Sequence, residues 1–288
     1  AKSCRPHLTV ALAGDGGDEL FAGYLPFAGL GVVPWLKRIP DFLIDGMKLV
    51  LAMIPASDRY LGLRFKAQSY LQGFPAVDAA RFPLWLASMG PDELEKLCDR
   101  AGSDFFNGCE NNAPAFAKVE QLTISARGRT QIQQLLYFYQ KVFLPEFVCM
   151  HTDRAAMMFG LEVRSPLLSP ELIAFANRLP DHLKLKGNDP KWLLKCVARK
   201  RGLPRSIIQQ KKQGFTFPLA RWLKSSLNPM LDDLTDMEEW CEDGLVNVNF
   251  VAAIKSAHLS GTANNYRILY NLMAFRAWKR KYPNVLIS

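Results

Sequence analysis

The pattern of apolar positions opens with Leu8-Thr9-Val10-Ala11-Leu12, a short β-branched and apolar run that reads as a buried strand. It passes into Ala13-Gly14-Asp15-Gly16-Gly17-Asp18-Glu19-Leu20-Phe21-Ala22-Gly23-Tyr24, a glycine-rich acidic loop followed by helical character. Helical periodicity dominates from there. Residues 34–57 form an amphipathic pattern broken at Pro40, and 58–99 are aromatic-rich and punctuated by Pro75, Pro83 and Pro91. Pro91-Asp92-Glu93 opens a short helix with proline and acids in its first turn. Residues 101–114 are polar and rich in Gly and Asn, the pattern of a surface loop.

The clearest helix spans 130–143, where Ile132, Leu135, Leu136, Tyr139, Val142 and Phe143 share one face. Pro145 is expected to end it and to leave Glu146 just past the break. Asp153 is expected to N-cap a helix over 154–159 that Gly160 closes, with 161–168 extended. Ser169-Pro170-Glu171 starts another helix, and Asp189-Pro190 repeats that device before a helix running to Arg201 and stopped by Gly202. Lys211-Lys212-Gln213-Gly214-Phe215 is a basic loop before a helix over 218–223. The last helix, 264–281, is expected to bury Leu269, Leu272, Met273 and Trp278. The order is an α/β start completed by a helical body.

The acidic loop carries the most chemistry. Its glycines let the backbone turn sharply and bring N–H groups close to an anion. Asp15 and Asp18 would repel a bare phosphate, but they make sense with a divalent cation between loop and phosphates. Taken alone, the loop fits either a magnesium-nucleotide site or a tight turn whose aspartates cap a helix.

Composition narrows the class. The chain has 288 residues, 49% hydrophobic and 22% charged, enough for a sizeable core. The net charge of +9 suits nucleic acid, an acidic surface or a polyanionic nucleotide alike, and charge alone does not choose among them. The basic clusters at 199–201, 211–212 and 279–281 lack interleaved aromatics, so no nucleic-acid partner is expected. The 6 cysteines show no ligand or disulfide spacing and are expected to be reduced. The most apolar segments, 25–36 and 42–55, are interrupted by prolines or charges, so no membrane span is expected and the compartment reads as cytoplasmic. A core strand so close to Ala1 points to the C-terminal part of something longer.

Four blocks in order resemble the asparagine synthase family. The first is Gly14 to Tyr24, similar to the family's SGDGGDELFGGY loop. The second is Asp153-Arg154-Ala155 followed by Leu161-Glu162-Val163-Arg164-Ser165-Pro166-Leu167-Leu168. The third is Lys191-Trp192-Leu193-Leu194-Lys195, and the fourth runs from Lys212 through Gly214-Phe215 to Leu219. The likeness is weakest between Ser57 and Arg127. It implies an α/β, ATP-pyrophosphatase-like (adenine nucleotide alpha hydrolase-like) domain over residues 1–288, truncated at its N-terminal side, with a predominantly helical C-terminal body. Neither the family's SGGxDS pyrophosphate loop nor its N-terminal glutaminase is present, and Cys4 does not replace the glutaminase cysteine.

The activity implied is a carbon–nitrogen ligase: aspartate is adenylated to β-aspartyl-AMP, then attacked by ammonia from glutamine to give asparagine, AMP and pyrophosphate. ATP and Mg2+ are the implied cofactors. Ala13, Gly14, Gly16 and Gly17 fall on the ATP-binding turn, with Ala13 in place of the usual serine. Asp15 matches an acid important for the acyl-adenylate, Asp18 the magnesium ligand, and Lys212 a lysine on the α-phosphate, where charge builds as pyrophosphate leaves. Glu146 matches an acid that orients or deprotonates the attacking amine. Glu162 and Arg164 read as an ion pair, and Lys191 as a helix-start residue. Ala22 stands where the family favours glycine, a backbone cost. Phe147 and Gln210 stand where polar or basic residues are common, which leaves the acceptor open. A sugar carboxylate, a β-lactam-type acceptor or a non-catalytic remnant are the alternatives, and homodimerisation is also left open. The isolated segment is expected to be inactive.

Overall fold

The structure is a computed structural model and describes residues 1–53, 67, 70–71, 85–98, 129–210 and 217–283. The expected surface loop at 101–114, and Lys212 with the rest of 211–216, lie outside the described residues. The chain divides into two compact units, one of Ala1–Arg38 with Lys118–Lys212 and one of Ile39–Ala117 with Gln213–Ser288.

In the first unit the expected strand forms as β1 (Val10–Leu12), but it is not the buried strand expected, since Val10 and Leu12 are exposed; the turn of residues 13–16 joins it to helix α1 (Gly17–Leu20). Short helices follow at Leu25–Gly29 and Val33–Leu36, each with proline in its first turn. The stretch Gly17–Leu36 has a mean hydropathy of 1.3, in the range of a membrane span, but it is broken into these three helices and half buried. Strand β2 (Glu162–Arg164) lies parallel to β1 in the register Val10↔Glu162, Ala11↔Val163 and Leu12↔Arg164. The expected Glu162–Arg164 ion pair forms on it. Buried Leu20, Phe21 and Ala176 pack with Ile173, Leu179, Leu193 and Leu194, so α1 is seated on the helices Pro170–Arg178 and Trp192–Lys200.

One long helical run replaces two expected helices. It is α-helical over Gln131–Phe138, π-helical over Tyr139–Cys149 and α-helical again over Met150–Met157. Thr130 caps its start, accepting from the Gln133 N–H at 3.2 Å. Pro145 therefore does not end the helix; it lies inside the π segment. The wider π turn spares the carbonyl clash and the i−4 bond that make proline a breaker of α-helices. Glu146 is consequently a helical residue rather than one past a break, and Asp153 lies within the run instead of capping a new helix.

Two further expectations are corrected. Asp189-Pro190 does not open a helix but pairs antiparallel with Leu185–Lys186. Asp189 holds Lys195 in an ion pair, and the helix starts after Lys191. Trp278 is 39% exposed, because it leans along the helix surface between Phe275 and Tyr282 instead of entering the core. Ser169 does cap its helix, accepting from the Leu172 N–H at 3.3 Å.

The second unit is helical. Asp41–Met53 follows Pro40, and Pro91–Leu97 opens with Glu93 accepting from the Gly90 N–H at 2.9 Å, both as expected. Leu219–Leu223, Asn228–Leu234, Met237–Asp243, Val248–Ser260 and Tyr266–Lys281 bury Leu223, Leu231, Trp240, Val251 and Leu269 in one core. The Arg276 guanidinium lies 4.0 Å from the Trp240 ring centre and pairs with Asp243 at 2.6 Å. A buried cation is tolerable only with such partners.

Candidate active site

The acidic turn is built where β1 ends. The Ala13 N–H donates to the Arg164 carbonyl at 2.8 Å, extending the sheet by one bond. The nucleotide-facing role expected of Ala13 thus cannot use that N–H, which is already spent. Gly14 is exposed, and a Cβ there would meet nothing within 4 Å. Gly16 has φ +92°, and a Cβ would overlap Leu168, while one on Gly17 would crowd Leu167 at 3.3 Å. The Pro166–Leu168 turn is therefore packed against the glycines, and only the Gly14 end of the loop is open to a ligand.

Asp15 is held by two hydroxyls. Thr152 Oγ1 donates to its Oδ2 at 3.1 Å and Ser165 Oγ at 3.3 Å. Asp18 pairs with Lys191, Nζ to Oδ1 at 2.9 Å. Lys191 also donates its backbone N–H to the Phe21 carbonyl at 3.0 Å and sits at φ 56°, the left-handed region. A side chain on Gly23 would overlap both Asp18 Oδ1 and Lys191 Cε, so that glycine makes room for the pair. Three of the four sequence blocks thus converge: the loop, Ser165 with the strand carrying Arg164, and Lys191.

Glu19 behaves differently from its neighbour. It is 2% exposed and accepts from the Tyr24 hydroxyl, whose ring stacks on Tyr139 at 4.5 Å. Burial, then Glu19 as a hydrogen-bond partner and nearby charge, keep the Tyr24 phenol protonated well above its ordinary range. Burial also pushes the Cys149 thiol up, with smaller contributions from Asp15 and Glu19. Glu146 is exposed on the π segment, one residue before Phe147.

Sequence reasoning missed Lys191, Thr152, Ser165 and Tyr24. Ser165 and Lys191 were inside recognised blocks, so their position was a usable signal. Thr152 carried none, because Asp153 beside it was expected to cap a new helix, which left Thr152 outside any element.

Magnesium fits this donor set in one way. Among the described residues, no group of three or more His, Cys, Asp or Glu side chains forms, so there is no dedicated cage. An Mg2+ ion at this turn would have to share Asp18 with the Lys191 ammonium and would draw its other ligands from water and phosphates.

The family model for asparagine synthase matches residues 1–280. Asparagine synthetase [glutamine-hydrolyzing] 1 of Bacillus subtilis is 26% identical over 280 residues, covering 96% of this chain and 41% of that protein. A putative asparagine synthetase [glutamine-hydrolyzing] of Mycobacterium bovis is 24% identical over 287 residues, covering 96% of this chain and 40% of that protein. Amidase chyE of Penicillium rubens is 24% identical over 258 residues, covering 84% and 37%. The chain thus spans well under half the length of the curated relatives it matches. No solved structure matches it. A glycine-rich acidic turn, braced by two further blocks in the family's order and matched nearly end to end, makes the chain a member of the asparagine synthase family.

Proposed function

We propose that this chain supplies part of an ATP-dependent amide-forming site, adenylating a carboxylate and passing the acyl-adenylate to ammonia released from glutamine. Aspartate is the default acceptor, giving asparagine, AMP and pyrophosphate. The observation that carries the reading is the open Gly14 end of a turn that presents Asp15 and Asp18. Gly14 lets a nucleotide approach the backbone, and Gly16 and Gly17 hold the turn's shape. Asp18 would hold Mg2+, which would neutralise charge on the triphosphate. Asp15, fixed by Thr152 and Ser165, keeps one orientation toward the acid being activated. Lys191 balances Asp18 and fixes its rotamer. Lys212 would meet the charge that builds on the α-phosphate, and Glu146 would orient the amine. The rest of the nucleotide site and the glutaminase would come from residues outside this chain, so the chain alone is proposed to be inactive and cytoplasmic placement is proposed with it.

One observation favours a different acceptor. Phe147 is 51% exposed, and its ring lies 5.0 Å from Phe143 and 4.9 Å from the His151 ring, next to Glu146. An exposed aromatic shelf there suits an acceptor with an apolar body. A pyrophosphate-release assay on the full-length protein, with ammonium and a panel of carboxylates, separates the two. Aspartate-dependent release supports the first reading and turnover with a larger, less polar acid the second. Silence with every acid contradicts both.

A further inference from the structure

The second acid of the Asp18-Glu19 pair has no evident task in nucleotide binding. It is buried, and it goes to a different partner from Asp18. A buried carboxylate costs several kcal/mol unless hydrogen bonds satisfy it, so its retention needs a reason.

The reason lies in what Tyr24 touches. Its hydroxyl donates to Glu19 Oε1, while its ring stacks on buried Tyr139 and meets the edge of Phe143 at 5.5 Å. Gln140 Nε2 adds a bond to the Glu19 carbonyl at 3.3 Å and is itself steadied by Asn177 Oδ1 at 3.0 Å. Tyr139, Gln140 and Phe143 all belong to the start of the π segment. Further along the same helical run, Thr152 holds Asp15. The acidic turn is thus fastened to one helical run at two points, and Glu146 lies between them.

We propose that the Tyr24 hydroxyl and the Glu19 carboxylate form a positioning clamp, which fixes the acidic turn relative to the π segment and so sets where Glu146 stands with respect to Asp15. Neither residue touches substrate. The clamp acts through the aromatic stack, and its consequence for turnover rests on the adenylation reading above. Because the Tyr24 hydroxyl donates and a Glu19 oxygen accepts, the clamp is expected to tolerate a neutral acceptor at position 19.

Three variants of the full-length protein test this. Tyr24→Phe keeps the stack and loses the donor. Glu19→Gln keeps an acceptor oxygen and loses the charge. The double variant removes the hydrogen bond without leaving a buried charge unpaired. Backbone hydrogen exchange is expected to rise about tenfold or more over residues 13–20 and 143–149 in Tyr24→Phe, and to stay elevated in the double variant although its stability recovers. A loss of positional definition on this scale is expected to lower kcat about 10- to 100-fold while the KM for ATP changes less than about threefold. Glu19→Gln is expected to stay within about threefold of the parent in both readouts. Unchanged exchange in Tyr24→Phe overturns the clamp, as does a Glu19→Gln variant that fails as badly as Tyr24→Phe. The exchange readout needs no substrate. Raised exchange in a protein that turns over no carboxylate leaves the clamp standing and removes the functional reading instead.

Discussion

Ala22 carries a methyl group at φ 57°, a conformation that costs a non-glycine L-residue roughly 1–2 kcal/mol. The family resemblance already marked the position as one that favours glycine, and the backbone supplies the reason. Ala22→Gly is expected to raise stability by no more than about 0.5 kcal/mol, the relief of strain being largely offset by greater freedom in the unfolded chain and by loss of a fully buried methyl. A urea titration that moves the midpoint down, with unchanged slope, would contradict this. Gly14 gives the converse test. Because a Cβ there meets nothing within 4 Å, Gly14→Ala is expected to leave the melting temperature unchanged and to weaken ATP binding about tenfold or more. Calorimetry showing unaltered ATP affinity would mean that no nucleotide approaches this backbone. Asp15 and Asp18 were legible from the sequence as the acids of a tight glycine turn, but the partners that hold them were not. Hydroxyls such as Thr152 become informative only once the strand and helix that bring them to Asp15 are known.

Helix starts were legible wherever a local rule decided them: Thr130, Ser169 and Pro91 each open a helix through their own side chain or ring. The failures came where tertiary packing overrode a local rule. Pro145 reads as a terminator, yet Tyr24 packed on Tyr139 and Phe143 sits beside a π turn wide enough to carry it. Asp189-Pro190 reads as a cap and first turn, yet pairing with Leu185–Lys186 takes both residues into a strand. The π segment and the acidic turn are coupled through Tyr24, and pH exposes that coupling. An unfolded tyrosine ionises near pH 10, whereas folded Tyr24 keeps its proton to higher pH. The unfolded state therefore binds fewer protons above about pH 10, so this contribution to stability is intact below that pH and falls as pH rises. Urea midpoints measured from pH 8 to 11 are expected to fall above about pH 10 in the parent and to fall less steeply in Tyr24→Phe. Parallel curves would remove Tyr24 from the alkaline transition.

At the scale of the molecule, the sequence conveyed the family and an α/β beginning, and the structure adds how little sheet there is. β1 pairs with β2 alone among the described strands, and Leu12 remains 76% exposed beside Val10 at 49%. Parallel strands are ordinarily covered on both faces, whereas these two strands leave Leu12 and Val10 open among the described residues. β2 was legible only as an extended stretch, because short apolar runs do not announce their partners. The family match over residues 1–280, on a chain that covers 41% of its Bacillus relative, is consistent with a site completed by other residues. Charge and composition agree with a nucleotide-using enzyme but could not have selected one.

We propose that the turn carrying Asp15 and Asp18 serves attack of a carboxylate on the α-phosphate of ATP. The most direct measurement uses an acceptor acid labelled with 18O in its carboxylate, given to the full-length protein with MgATP and ammonium, with mass spectrometry of the products. Adenylation followed by amide formation leaves one labelled oxygen in AMP, and this transfer is expected in the parent protein and absent in Asp15→Ala. Label recovered in inorganic phosphate, with ADP as the nucleotide product, would contradict the account.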